Sequence, residues 1–175
     1  MKETVILVNE LDQEVGAMEK MRAHELGKLH RAISIFIFNE KGELLLQKRA
    51  SSKYHSGGLW TNTCCSHPRP GETTIDAAIR RLYEEMGICS DLYHAFSFTY
   101  KAPFDNGLTE HEFDHVFLGS SQAFPQLNPE EAEGFDYVTI PEVIKDMDKN
   151  PEQYTEWFKI AIHEVQDHLK KRISA

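Results

Sequence analysis

The sequence predicts a single α/β or α+β sandwich, and three observations point that way. Several short, strand-like apolar segments recur along the chain, one strongly periodic helix stands among them, and a second periodic segment closes the sequence. With 175 residues, 41% of them apolar, the chain is long enough to bury one proper core. No internal repeat, low-complexity tract or linker divides it, so one domain over residues 1–175 is expected.

Thr4 to Val8 reads as a first strand. Gly16 to Leu26 reads as a connection into a short helix that stops near Gly27. Leu29 to Phe38 has the composition of a buried strand, and Asn39 to Gly42 turns it into a hairpin with Glu43 to Lys48; Ile33, Ile35 and Ile37 share one face. Ala50 to Pro70 is rich in loop residues. Thr73 to Met86 is the clearest helix, opened by Thr73 with Asp76 three positions on and closed by Gly87. At about 100° per residue, Ile75, Ala78, Ile79, Leu82 and Met86 form its buried stripe, Glu84 points away, and Glu85 lies on the border. Tyr93 to Tyr100, Glu112 to Leu118 and Gly134 to Ile140 read as further strands, Pro141 starts a short helix, and Pro151 to Lys171 forms the last helix.

A formal charge of −9 argues against a nucleic-acid or membrane-surface binder, both of which want a cationic face. Cys64, Cys65 and Cys89 form neither an even disulfide framework nor a CxxC pair, which suits a reducing compartment. The N-terminus offers only the Val5 to Val8 run, far short of a signal or spanning segment, so a cytoplasmic protein is expected.

Three clusters could carry chemistry. In Thr61-Asn62-Thr63-Cys64-Cys65-Ser66-His67-Pro68, alternation places the Cys65 thiol and the His67 imidazole on one side, and Pro68 ends the segment at a loop. Cys64 and Cys89 lack a polar companion and read as inert. Glu110 and Glu112, followed by Asp114, line one face of a strand, where carboxylates repel unless they are solvated or share a cation. His24 and His30 converge only if the helix breaks near Gly27. With His67, Glu110 and Glu112 they could then form a three-nitrogen, two-oxygen site for a borderline divalent ion such as zinc, manganese or iron. His55, His94, His111, His115, His163 and His168 have no such grouping and read as ordinary residues. On the central helix, Glu84 reads as solvated and Glu85 as the better cation ligand.

The stretch from Gly71-Glu72 through Arg80-Arg81-Leu82-Tyr83-Glu84-Glu85-Met86-Gly87-Ile88 resembles the Nudix signature. Ser66 stands at its first glycine, and Arg81 replaces a glutamate that pyrophosphohydrolases use for metal binding, which weakens the hydrolase reading. Over nearly its full length the chain resembles the type 1 isopentenyl-diphosphate isomerases. The ordered motifs are His24…His30, Lys48-Arg49-Ala50-Ser51-Ser52-Lys53, Trp60 to Pro68, Tyr100, Glu110-His111-Glu112 and Trp157.

That resemblance implies a Nudix-like α/β/α sandwich with a mixed central sheet, and an enzyme interconverting isopentenyl and dimethylallyl diphosphate for isoprenoid synthesis. It implies a divalent ion (Mn²⁺, Zn²⁺ or Mg²⁺) on His24, His30, His67, Glu110 and Glu112. It makes Cys65 the acid/base on one substrate face, with Glu112 and Tyr100 on the other. Glu85 and the backbone of Cys65 would hold one Mg²⁺ with the diphosphate, and Lys20, Arg49, Lys53 and Arg81 would grip the phosphates. The partner is then a small diphosphate, with no nucleic acid or membrane involved, and the assembly a monomer or weak homodimer. His111 should point away from its flanking glutamates.

The chemistry rationalises this set. Moving the double bond needs one proton added and another removed, through a tertiary carbocation that water would destroy. Trp157 can stabilise such a cation, since a desolvated cation–π contact is worth about 2 kcal/mol or more. A Nudix pyrophosphohydrolase and a metal-binding module that has lost its reaction are the rivals; the retained acid/base set argues against the second.

Overall fold

The computed structural model describes residues 2–174. Nine strands and four α-helices follow in the order β1 (Thr4–Val8), β2 (Glu14–Glu19), α1 (Lys20–Leu26), β3 (His30–Phe38), β4 (Leu44–Arg49), β5 (Trp60–Thr61), β6 (Cys64–Ser66), α2 (Thr74–Met86), β7 (Leu92–Pro103), β8 (Thr109–Ser120), β9 (Ala132–Val138), α3 (Ile140–Lys149) and α4 (Glu156–Ser174). A 3-10 turn at Pro151–Gln153 precedes α4.

Strand β3 organises the sheet. Its sequence, His-Arg-Ala-Ile-Ser-Ile-Phe-Ile-Phe, is buried on both faces, as a central strand requires. It pairs antiparallel with β1, β4 and β6, and parallel with β8 from His30↔Glu112 to Phe38↔Ser120, so the sheet is mixed. Strand β2 extends β1, β7 extends β8, and β4 carries β5 and β9. Alternation along β3 sends Ile33, Ile35 and Ile37 toward α2, where they pack with Leu45, Cys64, Leu82, Met86 and Phe117. The opposite face carries Phe36, Val116 and Leu118 against Trp157, Phe158 and Ile162 of α4. One sheet between two helical layers is the sandwich expected.

Helix α2 has the boundaries its sequence signals. Thr73 accepts a hydrogen bond from the Asp76 amide, and Gly87 closes the helix at φ 66°, where a Cβ would lie 2.7 Å from the side chain of Gln126. Its buried stripe differs from the expected one. Ile79 is 44% exposed, whereas Ala77, Ala78, Leu82, Glu85 and Met86 are buried. The helix is rotated about its axis toward Ala77 and Glu85, which carries Glu85 from the border into the buried stripe.

Three segments differ from the sequence reading. Glu14–Glu19 is a strand, not a connection, antiparallel to β1 across a turn built on Asn9, whose side-chain oxygen accepts from the Leu11 and Gln13 amides. The loop-rich stretch Ala50 to Pro70 contains β5 and β6. The last helix starts at Glu156; the extended Tyr154–Thr155 step before it is fixed by a 2.8 Å bond between the Thr155 and Thr61 hydroxyls. No helix among the described residues is long and apolar enough to cross a membrane.

Candidate active site

Residues directly opposed on paired strands project to the same face. Strand β3 pairs Ser34 with Cys65 of β6, and Ala32 with Asp114 and His30 with Glu112 of β8; β7 adds Tyr100 opposite Glu112. One face of the sheet therefore gathers the thiol, the phenol, three carboxylates and two imidazoles. Cys64, one residue out of phase with Cys65, faces the apolar layer under α2. His111 points away from Glu110 and Glu112, its Nδ1 meeting the Gly27 carbonyl at 3.0 Å.

Helix α1 adds His24. It stops at Gly27 with φ 60°, and the chain turns at once into β3, bringing the His24 and His30 rings to 4.9 Å between centroids. His24 Nδ1 donates to the Lys20 carbonyl at 2.7 Å and His30 Nδ1 to the Lys28 carbonyl at 2.8 Å. Both rings are thus held with Nε2 turned inward, the arrangement typical of metal-binding histidines. His24 Nε2 faces Glu110 Oε1 at 3.2 Å, and His30 Nε2 faces His67 Nε2 at 3.3 Å and Glu112 Oε1 at 3.4 Å. With the Nδ1 protons committed outward, these inward atoms meet acceptor to acceptor and need a positive charge between them. His24, His30, His67 and Glu112 place one donor atom each within 4.8 Å of one another. This buried set fits a divalent cation.

The electrostatics of the carboxylates are divided. Burial alone would raise Glu110, but its contacts with Glu112, His24 and His55 hold it well below the usual range. Burial and the Glu110 charge raise Glu112 to about 7, against the pull of His30. The buried Tyr100 hydroxyl is shared between Glu112 Oε2 at 2.8 Å and Glu110 Oε2 at 3.1 Å; burial and those two charges keep the phenol protonated. Asp114 is raised well above its normal value by burial and Glu112, and accepts from Ser34 at 2.6 Å. His67 is held neutral by burial and by His30. Burial pushes the Cys65 thiol up to about 12, opposed by Arg49 and reinforced by Glu85 and Glu112; Arg49 Nη1 lies 3.8 Å from its sulfur.

Cys65, Tyr100, Glu110, Glu112 and Trp157 line one cavity of about 810 Å³. The guanidinium carbon of Arg49 sits 5.2 Å from the centre of the Trp157 ring. Lys20, Arg49, Lys53, Arg81 and Glu85 line the same cavity. Glu85 is bound by Arg81 at 2.6 Å and by the Gln47 amide at 2.9 Å. Glu131 joins Lys53 at 2.6 Å to Arg81 at 2.9 Å, and these cations bring its carboxyl down to about 2 although burial acts the other way. Lys20 pairs with Glu3 at 2.9 Å. An acidic chain thus lines this cavity with cations as well as with carboxylates and imidazoles.

One histidine corrects the sequence reading. His55 is not an ordinary residue: it is buried, lines the cavity, and its Nε2 touches Glu110 Oε1 beside His24. Glu131, the link between two cavity cations, also escaped the sequence reading. Nothing in the Pro-Glu-Glu run around Glu131 marks it, whereas the Ser56-Gly57-Gly58 that follows His55 signals a loop folded tightly back on itself. Glu84, read as solvated, is half-exposed and paired with Arg80 at 3.1 Å and Arg81 at 2.7 Å.

Comparison with known proteins places this geometry in a family. The NUDIX domain model matches residues 28–158. The isopentenyl-diphosphate Delta-isomerase of Pectobacterium atrosepticum is 52% identical over 164 residues, covering 94% of this chain and 92% of that protein. An isopentenyl-diphosphate Delta-isomerase 2 of Aromatoleum aromaticum is 54% identical over 165 residues, covering 94% and 87%. Among solved structures, a Deinococcus radiodurans protein superposes with a TM-score of 0.78 at 23% identity, covering 93% of this chain and 98% of that one. A MutT protein from Methanosarcina mazei does so with a TM-score of 0.68 at 22% identity, covering 81% and 96%. At such identities the structures speak for the fold alone.

Proposed function

We infer that this chain, which belongs to the Nudix family and within it to the isopentenyl-diphosphate Delta-isomerases, works as that isomerase. It interconverts isopentenyl and dimethylallyl diphosphate, a step that supplies isoprenoid precursors. The observation that carries the assignment of residues is a thiol and a phenol–carboxyl pair that line one cavity together with an indole.

The reaction adds a proton to one carbon of the double bond and removes another from the carbon beyond it, so no oxidant or water is consumed. In one direction Cys65 gives its proton to the alkene and the Tyr100–Glu112 pair accepts one from the resulting cation; in the other direction the roles exchange. In the first direction Cys65 begins protonated, in keeping with its raised pKa. The cation between the two steps is stabilised by the buried Trp157 ring, whose π density is worth about 2 kcal/mol or more when desolvated. Exclusion of water from the pocket by the bound substrate would protect the cation from capture.

Lys20, Arg49, Lys53 and Arg81 would bind the diphosphate, exchanging carboxylate partners such as Glu131 for phosphate oxygens. Glu85 and the backbone of Cys65 would hold a Mg²⁺ with it, and His24, His30, His67, Glu110 and Glu112 a second divalent ion (Mn²⁺, Zn²⁺ or Mg²⁺). When bound, the first neutralises phosphate charge and the second helps set the protonation of Glu112.

The test is incubation with isopentenyl diphosphate in D₂O, followed by NMR. Dimethylallyl diphosphate carrying deuterium is the expected product. Unchanged substrate, with phosphate released from a parallel panel of nucleoside diphosphates, would establish a hydrolase instead.

A further inference from the structure

The family pattern implies three histidines at the metal cluster, yet four converge on it. We propose that His55 is a metal ligand in its own right, so that the divalent ion is held by four imidazoles and two carboxylates and keeps no bound water. The inference rests on the reading above that the cluster holds an ion, and it changes what that ion can do.

The donor atoms fall into two overlapping sets. His24, His30, His67 and Glu112 form one, and His24, His55 and Glu110 form the other, with donor atoms in each set all within 4.8 Å of one another. His24 belongs to both, so the two sets meet at its ring.

His55 has the features of a ligand. Its side chain is only 3% exposed, and its Nε2 is a buried nitrogen with no hydrogen-bond partner, although it touches Glu110 Oε1. A buried polar atom so placed is costly unless something else satisfies it. The other ring nitrogen, Nδ1, is engaged by the Ser56 hydroxyl at 3.2 Å, which leaves Nε2 for the ion. Its ring is clamped on several sides: stacked on Phe104 at 4.9 Å and 10°, edge-on to Tyr54 at 4.4 Å, and edge-on to Trp157 at 5.9 Å.

The backbone is shaped to deliver it. Ser56 takes φ 52° and Gly58 φ 75°, and a Cβ on Gly57 would lie 2.7 Å from the Ser51 carbonyl oxygen. Arg49 fixes the His55 carbonyl with a 3.3 Å hydrogen bond. Local strain of this kind persists only where the surroundings enforce it.

A six-donor protein site has a chemical consequence. A divalent ion with an open position binds water and can make it a hydroxide near neutral pH. Such a hydroxide beside a tertiary carbocation would trap it as an alcohol. With His55 in place the ion keeps its charge effect on Glu112 while offering no nucleophile. Nitrogen-rich ligation also favours manganese, iron or zinc over Mg²⁺.

The probe is Mn²⁺ alone, loaded into the metal-free protein without substrate. Pulsed electron paramagnetic resonance should count four imidazole nitrogens, and water-proton relaxation should show no exchanging water on the bound ion. His55→Phe, which keeps the aromatic stack on Phe104, should gain one such water and weaken Mn²⁺ binding at least about tenfold. Three imidazoles in the unmodified protein, with hydration and affinity unchanged in H55F, would overturn the proposal. The imidazole count in the unmodified protein decides the matter even if the variant does not fold. Absence of imidazole coupling altogether would instead refute the underlying metal site.

Discussion

Replacing Tyr100 by phenylalanine removes one oxygen from the most polar corner of the cavity. That oxygen lies 2.8 Å from Glu112 and 3.1 Å from Glu110, and both carboxyls are buried. A hydrogen bond to a charged group contributes about 1.5–3 kcal/mol. At about 1.4 kcal/mol per factor of ten, kcat should fall roughly 10- to 150-fold if the phenol orients the carboxyl that exchanges the proton. KM should change little, because the cations proposed to grip the diphosphate sit elsewhere in the cavity lining. The assay is conversion of isopentenyl diphosphate in D₂O followed by NMR, with a thermal melt confirming that the variant folds. If phenol and carboxyl act as a unit, E112Q and the double variant Y100F/E112Q should be equally slow. A kcat within threefold of the unmodified protein in Y100F would show that the phenol does not serve the proton step.

Cys65→Ala should lower turnover by about 10²- to 10⁴-fold, the range for loss of a general acid or base, while calorimetry still detects diphosphate binding; near-normal isomerisation would refute its role. His24→Ala and Glu110→Ala should each lose bound metal and activity together, with elemental analysis as the check. Glu131 supplies a pH dependence of stability. Its folded pKa of about 2 lies below the ordinary carboxyl value of 4.5, so its contribution is complete above about 4.5 and is lost as pH falls toward 2. Allowing for solvent screening, that contribution is about 1–2 kcal/mol, and urea unfolding from pH 6 down to pH 3 should show a shallower acid loss in E131Q.

The parts of the molecule legible in its sequence are those where one local rule acts alone. Helix α2 is announced by Thr73 and Gly87, and the alternation of Cys64, Cys65 and His67 separates a core thiol from a cavity thiol without any tertiary information. The break at Gly27 is also written locally, and with it the meeting of His24 and His30. Strand β2 is illegible because Glu14–Glu19 is exposed or only half-buried, so no apolar alternation marks it. The rotation of α2 that exposes Ile79 and buries Glu85 is decided by the sheet beneath it. His55 is harder still: its burial depends on Phe104, Tyr54 and Glu110, which converge only in the folded chain.

The parallel alignment of β3 with β8 joins stretches roughly eighty residues apart, as the Ser34–Asp114 contact shows. Loops that long close late in folding, since the entropy of closure is lost before the contacts form. His30 and Glu112 therefore become neighbours only when the centre of the molecule is complete, and a half-assembled chain offers an ion no shared nest. Metal uptake during refolding should then keep pace with the last cooperative step, and a chelator should speed unfolding little while shifting its equilibrium.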